Sequence, residues 1–195
     1  MKLSFTAISF AFREFEIVAR LRLEEQDWDK VFEQVETEDL FQLASRATTI
    51  RRFREIRQRV GSLSIETLQV FVESGSDIKK AIAFLAICKT YPFIFDFVRF
   101  VLKEKLKIFD RQLTDMDFNT YWNEKANEHP ELDDLQETTR KKTKQVLLQI
   151  LAEAGLLSDT TSLWITPYIP IPGVLALFER EGSQFRDAYL SATCC

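Results

Sequence analysis

Six arginines and a single acid crowd residues 46–60 (Arg46, Arg51, Arg52, Arg54, Arg57 and Arg59 against Glu55), in a chain whose formal net charge is −4. The chemistry open to such a cluster is anion recognition, because a guanidinium presents a planar fork of N–H donors that matches two phosphate oxygens at once. On a helix, Ile50, Phe53, Ile56 and Val60 fall within one arc that would face a core, and the arginines fan over the rest. Thr48 or Thr49 is expected to cap this helix, its hydroxyl accepting from the first-turn amides. Arg51 and Arg52 would then lie in the first turn, where the helix dipole disfavours cations and an outside phosphate would compensate. The alternative is a solvated arginine face paired to neighbouring carboxylates.

A second stretch repeats the pattern: Thr138 and Thr139 precede Arg140, Lys141, Lys142 and Lys144. Thr143, Val146, Leu147, Ile150, Leu151 and Ala154 share one helical face, and Lys141, Lys142, Gln145 and Gln149 share the opposite one. Lysines suit phosphates and glutamines suit base edges, so this face fits a groove-reading helix, or else an amphipathic helix with a wet side. Gly155 ends the helix, and residues 156–157 and 162–166 read as two short strands around a polar turn at 158–161. Helix, helix and hairpin in that order predict a winged helix-turn-helix, whose second helix enters the major groove.

The elements that must hold these two stretches are almost all helical. A first helix is expected from about residue 9. Residues 24–39 carry eight acids and one lysine, yet Trp28, Val31, Phe32 and Val35 keep helical spacing, so this is a helix with a solvated acidic face that could pair with the arginines. Ser64 is expected to cap a short helix and Asp77 the next one, to residue 90, while Pro92 opens a helix to about residue 109. Thr114 caps a helix in which Phe118, Tyr121 and Trp122 form a core stripe, ended by His129-Pro130. Prolines 167, 170 and 172 close the hairpin, a last short helix covers 173–180, and the tail from residue 181 is expected to be loosely held. The fold class is therefore all-α, mainly a helical bundle, with a C-terminal winged-helix-like segment carrying a small β-hairpin. The expected domains are 1–130 and 131–195.

Composition narrows the function classes. The 195 residues are 46% hydrophobic and 29% charged, as in a globular protein. A pI near 5.3 gives no global attraction to nucleic acid, so any such binding must come from local patches. Cys88, Cys194 and Cys195 make neither a disulfide framework nor a metal-ligand spacing, which fits a reducing cytoplasm. The start of the chain lacks a signal peptide's apolar run. The most apolar region, 81–102, is interrupted by Lys89, Pro92, Asp96 and Arg99, and reads as two core helices and not as a membrane span. With one histidine, no glycine-rich phosphate loop and no nucleophile beside a base, neither an enzyme nor a cofactor, a metal or a small-molecule substrate is expected.

Ala47-Thr48-Thr49 followed by Arg51, Arg52 and Arg54, and the Ile56-Arg57-Gln58-Arg59 turn, resemble the BrxA family of BREX phage-defence systems. So do Cys88-Lys89-Thr90-Tyr91 before Pro92-Phe93, and Thr138-Thr139-Arg140-Lys141-Lys142 with Leu147-Leu148 and Ala154-Gly155-Leu156-Leu157. Phe10-Ala11-Phe12 is bulkier than the small residues usual near the family's first helix. The resemblance implies a helical, non-enzymatic, cytoplasmic protein that binds double-stranded DNA beside other BREX proteins, among them a methyltransferase and large ATPases. The residues expected to meet DNA are Arg46, Thr49, Arg51, Arg52, Arg54, Arg57 and Arg59, and Thr139, Arg140, Lys141, Lys142, Lys144, Gln145 and Gln149. A protein–protein adaptor and a helical RNA-binding protein are the competing classes.

Overall fold

The computed structural model describes residues 1, 3–169 and 171–190, so Cys194 and Cys195 lie outside the described residues, as does Pro170. The chain divides into two compact units, Ala11–Thr90 and Met1–Phe10 with Tyr91–Cys195. The boundary expected at residue 130 falls inside the second of these.

The Ala11–Thr90 unit is built of α1 (Phe12–Glu24), α2 (Trp28–Thr37), α3 (Arg46–Gly61), α4 (Ile65–Glu73) and α5 (Ser76–Thr90). Side chains that accept from first-turn amides start three of them: Asp27 from Asp29 at 2.9 Å, Ser45 from Thr48 at 3.3 Å and Ser64 from Thr67 at 3.2 Å. α1 packs against α2, α3 and α4, and α5 packs against α3 and α4. Residues 81–88 of α5 are buried on every face, so their run of apolar side chains is that of a central core helix. Phe71 fills the space beside α1, its ring centroid 5.1 Å from that of Phe15 and 6.3 Å from that of Phe12.

In the second unit, a 3₁₀ turn at Ser4–Ala7 precedes α6 (Pro92–Lys107), α7 (Asp115–Glu128), α8 (Glu137–Glu153) and α9 (Pro172–Arg180). α6 has one π-helical turn, at Val98–Leu102. Thr114 and Asp117 form a reciprocal capping box at the start of α7. The stripe read from the sequence is core: Phe118, Tyr121 and Trp122 pack with Phe93 and Phe97, and the Tyr121 hydroxyl donates to the Phe93 carbonyl at 2.6 Å.

The segments expected as a hairpin meet at one antiparallel bridge, Leu157 to Ile165, with the Ser158 amide donating to the Trp164 carbonyl and the Thr166 amide to that of Leu156. A third segment joins them through a bridge from Gln112 to Trp164 and through the amides of Leu113 and Ile165. Among the described residues no strand extends beyond these single bridges, and Leu163, at φ 52°, leaves the extended conformation in their midst. The tail also differs from expectation. A 3₁₀ helix at Ser183–Ala188 lies against α9, Phe185 packs on Phe95 with tilted rings 5.1 Å apart, the Lys103 ammonium meets Asp187, and Tyr189 and Leu190 are buried. No single helix among the described residues is long and apolar enough to cross a membrane.

Replacing Phe71 by alanine should cost about 3–5 kcal/mol, because it leaves a cavity among fixed neighbours. The same change at Phe109, 92% exposed, should stay within about 0.5 kcal/mol. Urea unfolding followed by circular dichroism measures both, and equal effects would show that this core is drawn wrongly.

Candidate nucleic-acid interface

α3 begins at Arg46 with Ser45 as its cap, three residues before the expected Thr48. Arg51 and Arg52 consequently lie in the second turn, and the first-turn argument for an outside anion does not apply to them. The cation that does occupy the first turn, Arg46, is already neutralised: its guanidinium holds the Glu36 carboxylate of α2 through Nε and, at 3.1 Å, through Nη2. That hydrogen bond holds the Glu36 carboxyl below the usual glutamate range and raises Arg46 in turn. The acidic block and the arginine helix are thus joined by a specific pair. Arg52 is half-buried and donates to Glu14 of α1 at 2.9 Å.

Two expected contacts are corrected. Arg59 is 0% exposed, on the buried arc of α3 beside Ile56 and Val60, so its guanidinium does not belong to a phosphate-reading surface. Thr49 is 8% exposed and its hydroxyl donates to the Ser45 carbonyl at 3.3 Å. Arg51, Arg54 and Arg57 remain on the surface. Arg51 and Arg54 make no ion pair or hydrogen bond among the described residues, whereas Arg57 sets its guanidinium 5.2 Å from the centroid of the Trp28 ring, which also receives Arg22 at 4.9 Å.

α8 likewise begins earlier than its threonines suggest, at Glu137 after Gln136. A carboxylate therefore occupies the first turn, where the dipole favours it, and it meets Lys141 at 2.8 Å one turn on. Arg140 lies against α7, donating to Asn119 and Asn123 at 3.0 and 3.3 Å, with its guanidinium 5.5 Å from the Trp122 ring. Lys144 meets Asp115 at 2.6 Å. Thr139 is half-buried, its carbonyl taken by the Thr143 hydroxyl. Gln149 is exposed and donates to Glu153 at 2.8 Å. Lys142 and Gln145 are exposed, with no such partner among the described residues. The cleft between α7 and α8, about 560 Å³, is of mixed charge, with Asp115 and Glu137 among its basic groups.

Sequence reasoning missed the exposed apolar residues around the end of α6 and the start of α7: Ile108 at 73%, Phe109 at 92% and Met116 at 76%. The usable signal was a pair of large apolar residues, Ile108-Phe109, directly before a break marked by Asp110 and Thr114. Among the described residues no three histidine, cysteine or acidic side chains are grouped to hold a metal.

The BrxA family pattern matches residues 2–182 of this chain. The BREX protein BrxA of Escherichia coli O9:H4 (strain HS) is 24% identical over 172 residues, covering 88% of this chain and 81% of that protein. The BREX protein BrxA of Bacillus cereus (strain H3081.97) is 28% identical over 130 residues, 67% of this chain and 65% of that one. A crystal structure of an uncharacterized protein from Magnetospirillum magneticum shares the fold, with a TM-score of 0.84 at 20% identity over 98% of both chains.

The Glu36–Arg46 pair has a definite pH signature. Because the folded state lowers the carboxyl pKa, the pair's stabilisation is present above the ordinary glutamate pKa and is lost as pH falls through the folded value. A carboxyl-resolved NMR titration should place Glu36 below the ordinary range, and Arg46→Ala should return it there. A midpoint unmoved by that substitution would remove Arg46 as the cause.

Proposed function

The chain belongs to the BrxA family, and from that premise we propose that it is a non-enzymatic, cytoplasmic component of a BREX phage-defence system that binds double-stranded DNA. The observation that carries the reading is the set of exposed cations, Arg51 and Arg54 on α3 and Lys142 on α8, without carboxylate partners among the described residues. Such groups gain most from a polyanion, since counterions and not protein carboxylates are displaced when phosphate arrives. Lys141 is second in rank, since its exposed pair with Glu137 is weak in water and a phosphate can replace the carboxylate, and the half-buried Lys144, paired with an exposed Asp115, comes third.

The order of elements in the second unit supports a winged-helix reading. α6, the segment at 111–113, α7, α8 and the bridged segments at 156–158 and 163–166 follow that topology, with α8 as the groove-facing helix and 158–162 as the wing. α8 then offers Lys142 to phosphate, with Gln145 and Gln149 to base edges, so sequence preference should be weak. The wing departs from the usual basic type. Its Asp159 carboxyl is drawn down to about 2 by the Ser162 hydroxyl and the amides of Ser162 and Thr161, and stays anionic at any working pH. This wing is therefore held away from phosphate.

A second reading, an adaptor that docks other BREX proteins, draws on the exposed Ile108, Phe109 and Met116. Nuclease-resistant co-purification with those proteins, lost in a Phe109→Ser variant that still binds duplex, would give that surface its own role.

With about four phosphates neutralised, duplex affinity should fall roughly a hundredfold between about 50 and 200 mM salt. Mobility-shift titration reads this directly, and a flat salt response sinks the phosphate reading. Arg51→Glu with Arg54→Glu should weaken binding at least about tenfold at low salt, about uniformly across sequences. Gln145→Ala should chiefly flatten whatever sequence preference exists.

A further inference from the structure

We propose that an open cleft in the Ala11–Thr90 unit, walled by α3 and the residues around it, binds a nucleoside phosphate. The inference shares only Arg54 with the DNA-binding reading; the concave site, Arg57 and the ligand are additional. The cleft measures about 630 Å³ and is lined by Trp28, Arg54, Arg57, Gln58, Lys89 and Thr90 among others, with no carboxylate among its described lining residues. The other clefts described carry carboxylates among their bases, one Asp115 and Glu137, another, beside Arg46, Glu36 and Asp39. Of the three clefts described, this one alone is lined by bases without an acid.

The geometry favours a phosphate ester with a planar group attached. Arg54 and Arg57 are one turn apart on α3, so their guanidinium groups share a face. Arg57 lies against Trp28 in a cation–π contact, 5.2 Å from the ring centroid, which restrains the side chain without consuming its charge. Two guanidinium forks around one concavity suit a terminal phosphate with its extra charge. The volume falls in the range of about 300–1,000 Å³ common to small-molecule sites and exceeds what a bare phosphate fills. On the same lining the half-buried Trp28 indole already carries the Arg22 and Arg57 guanidinium groups, 4.9 and 5.2 Å from its centroid, so a base would meet what these leave exposed of an aromatic surface. Gly61 stands beside the indole, an added Cβ lying 3.6 Å from it, so the backbone approaches the ring without crowding it. The same chemistry is offered by a free nucleotide and by the phosphorylated end of a DNA strand.

The test is a titration of the full chain with adenosine 5′-monophosphate, followed at the Trp28 indole NH by NMR, that signal being assigned with Trp28→Phe. A saturable shift is expected, at least about tenfold weaker for adenosine or for inorganic phosphate alone. Arg54→Gln with Arg57→Gln should weaken it by about tenfold or more while the circular dichroism spectrum is unchanged. No saturation at millimolar nucleotide overturns the proposal, as does a double variant that binds like the parent. Phosphate binding as tightly as the nucleotide overturns the nucleoside class. Competition by a 5′-phosphorylated oligonucleotide, but not by its unphosphorylated twin, identifies a strand end as the source; its absence beside nucleotide binding identifies the free nucleotide. Duplex binding is measured in parallel by mobility shift. Nucleotide failure with duplex binding intact discards the cleft alone, and the converse discards only the duplex reading.

Discussion

One short hydrogen-bonded turn, in which the Ser45 hydroxyl accepts from the Thr48 amide, sets the register of the arginine helix, and the register decides which cations the protein keeps for itself. Starting α3 at Arg46 sends that guanidinium to Glu36 and aims Arg52 at Glu14. It turns Arg59 into the core and leaves Arg51, Arg54 and Arg57 in water. A start three residues later would have made Arg51 and Arg52 the first-turn cations and required a different compensation. The distribution of charge therefore follows from a cap, not from the number of arginines.

The basic helix of the other unit obeys the same rule with a different outcome. Gln136 precedes the helix, Glu137 fills the first turn, and the dipole is satisfied by the chain's own carboxylate. Arg140 is drawn back onto α7 by two carboxamides and an indole, so it works as packing between helices as much as charge. What faces water on α8 is narrower than the composition of residues 140–149 suggests. It amounts to Lys142 and Gln145, flanked by Lys141 and Gln149, which are exposed but already paired with Glu137 and Glu153.

Much of the fold was legible because it rests on local signals. The Ser64 and Thr114 caps, the Pro92 helix start and the Gly155 stop at φ 84° all act over a few residues. The aromatic stripe of α7 was legible from period alone. Less of the site could be read, since a guanidinium's partner lies tens of residues away in sequence, as Glu14 does from Arg52. Side-chain chemistry misled at Arg59, which helical period places on the buried arc of Ile56 and Val60. Of the expected hairpin the structure has one isolated bridge between the two segments, and the left-handed Leu163 and the pairing with residues 111–113 were not legible, because neither leaves a mark on the alternation of side chains.

Two devices hold guanidinium groups in place here, and they differ in what they leave behind. A carboxylate partner fixes an arginine and consumes its charge, as Glu36 does for Arg46. An aromatic partner restrains the side chain but leaves its charge unspent, as Trp28 does for Arg57. Ordering a long side chain before a ligand arrives reduces the entropy lost on binding, so the second device preorganises a cation for an anion without competing for it. By that argument an exposed arginine against an indole is a stronger indication of an anion site than a larger number of arginines already bound to acids.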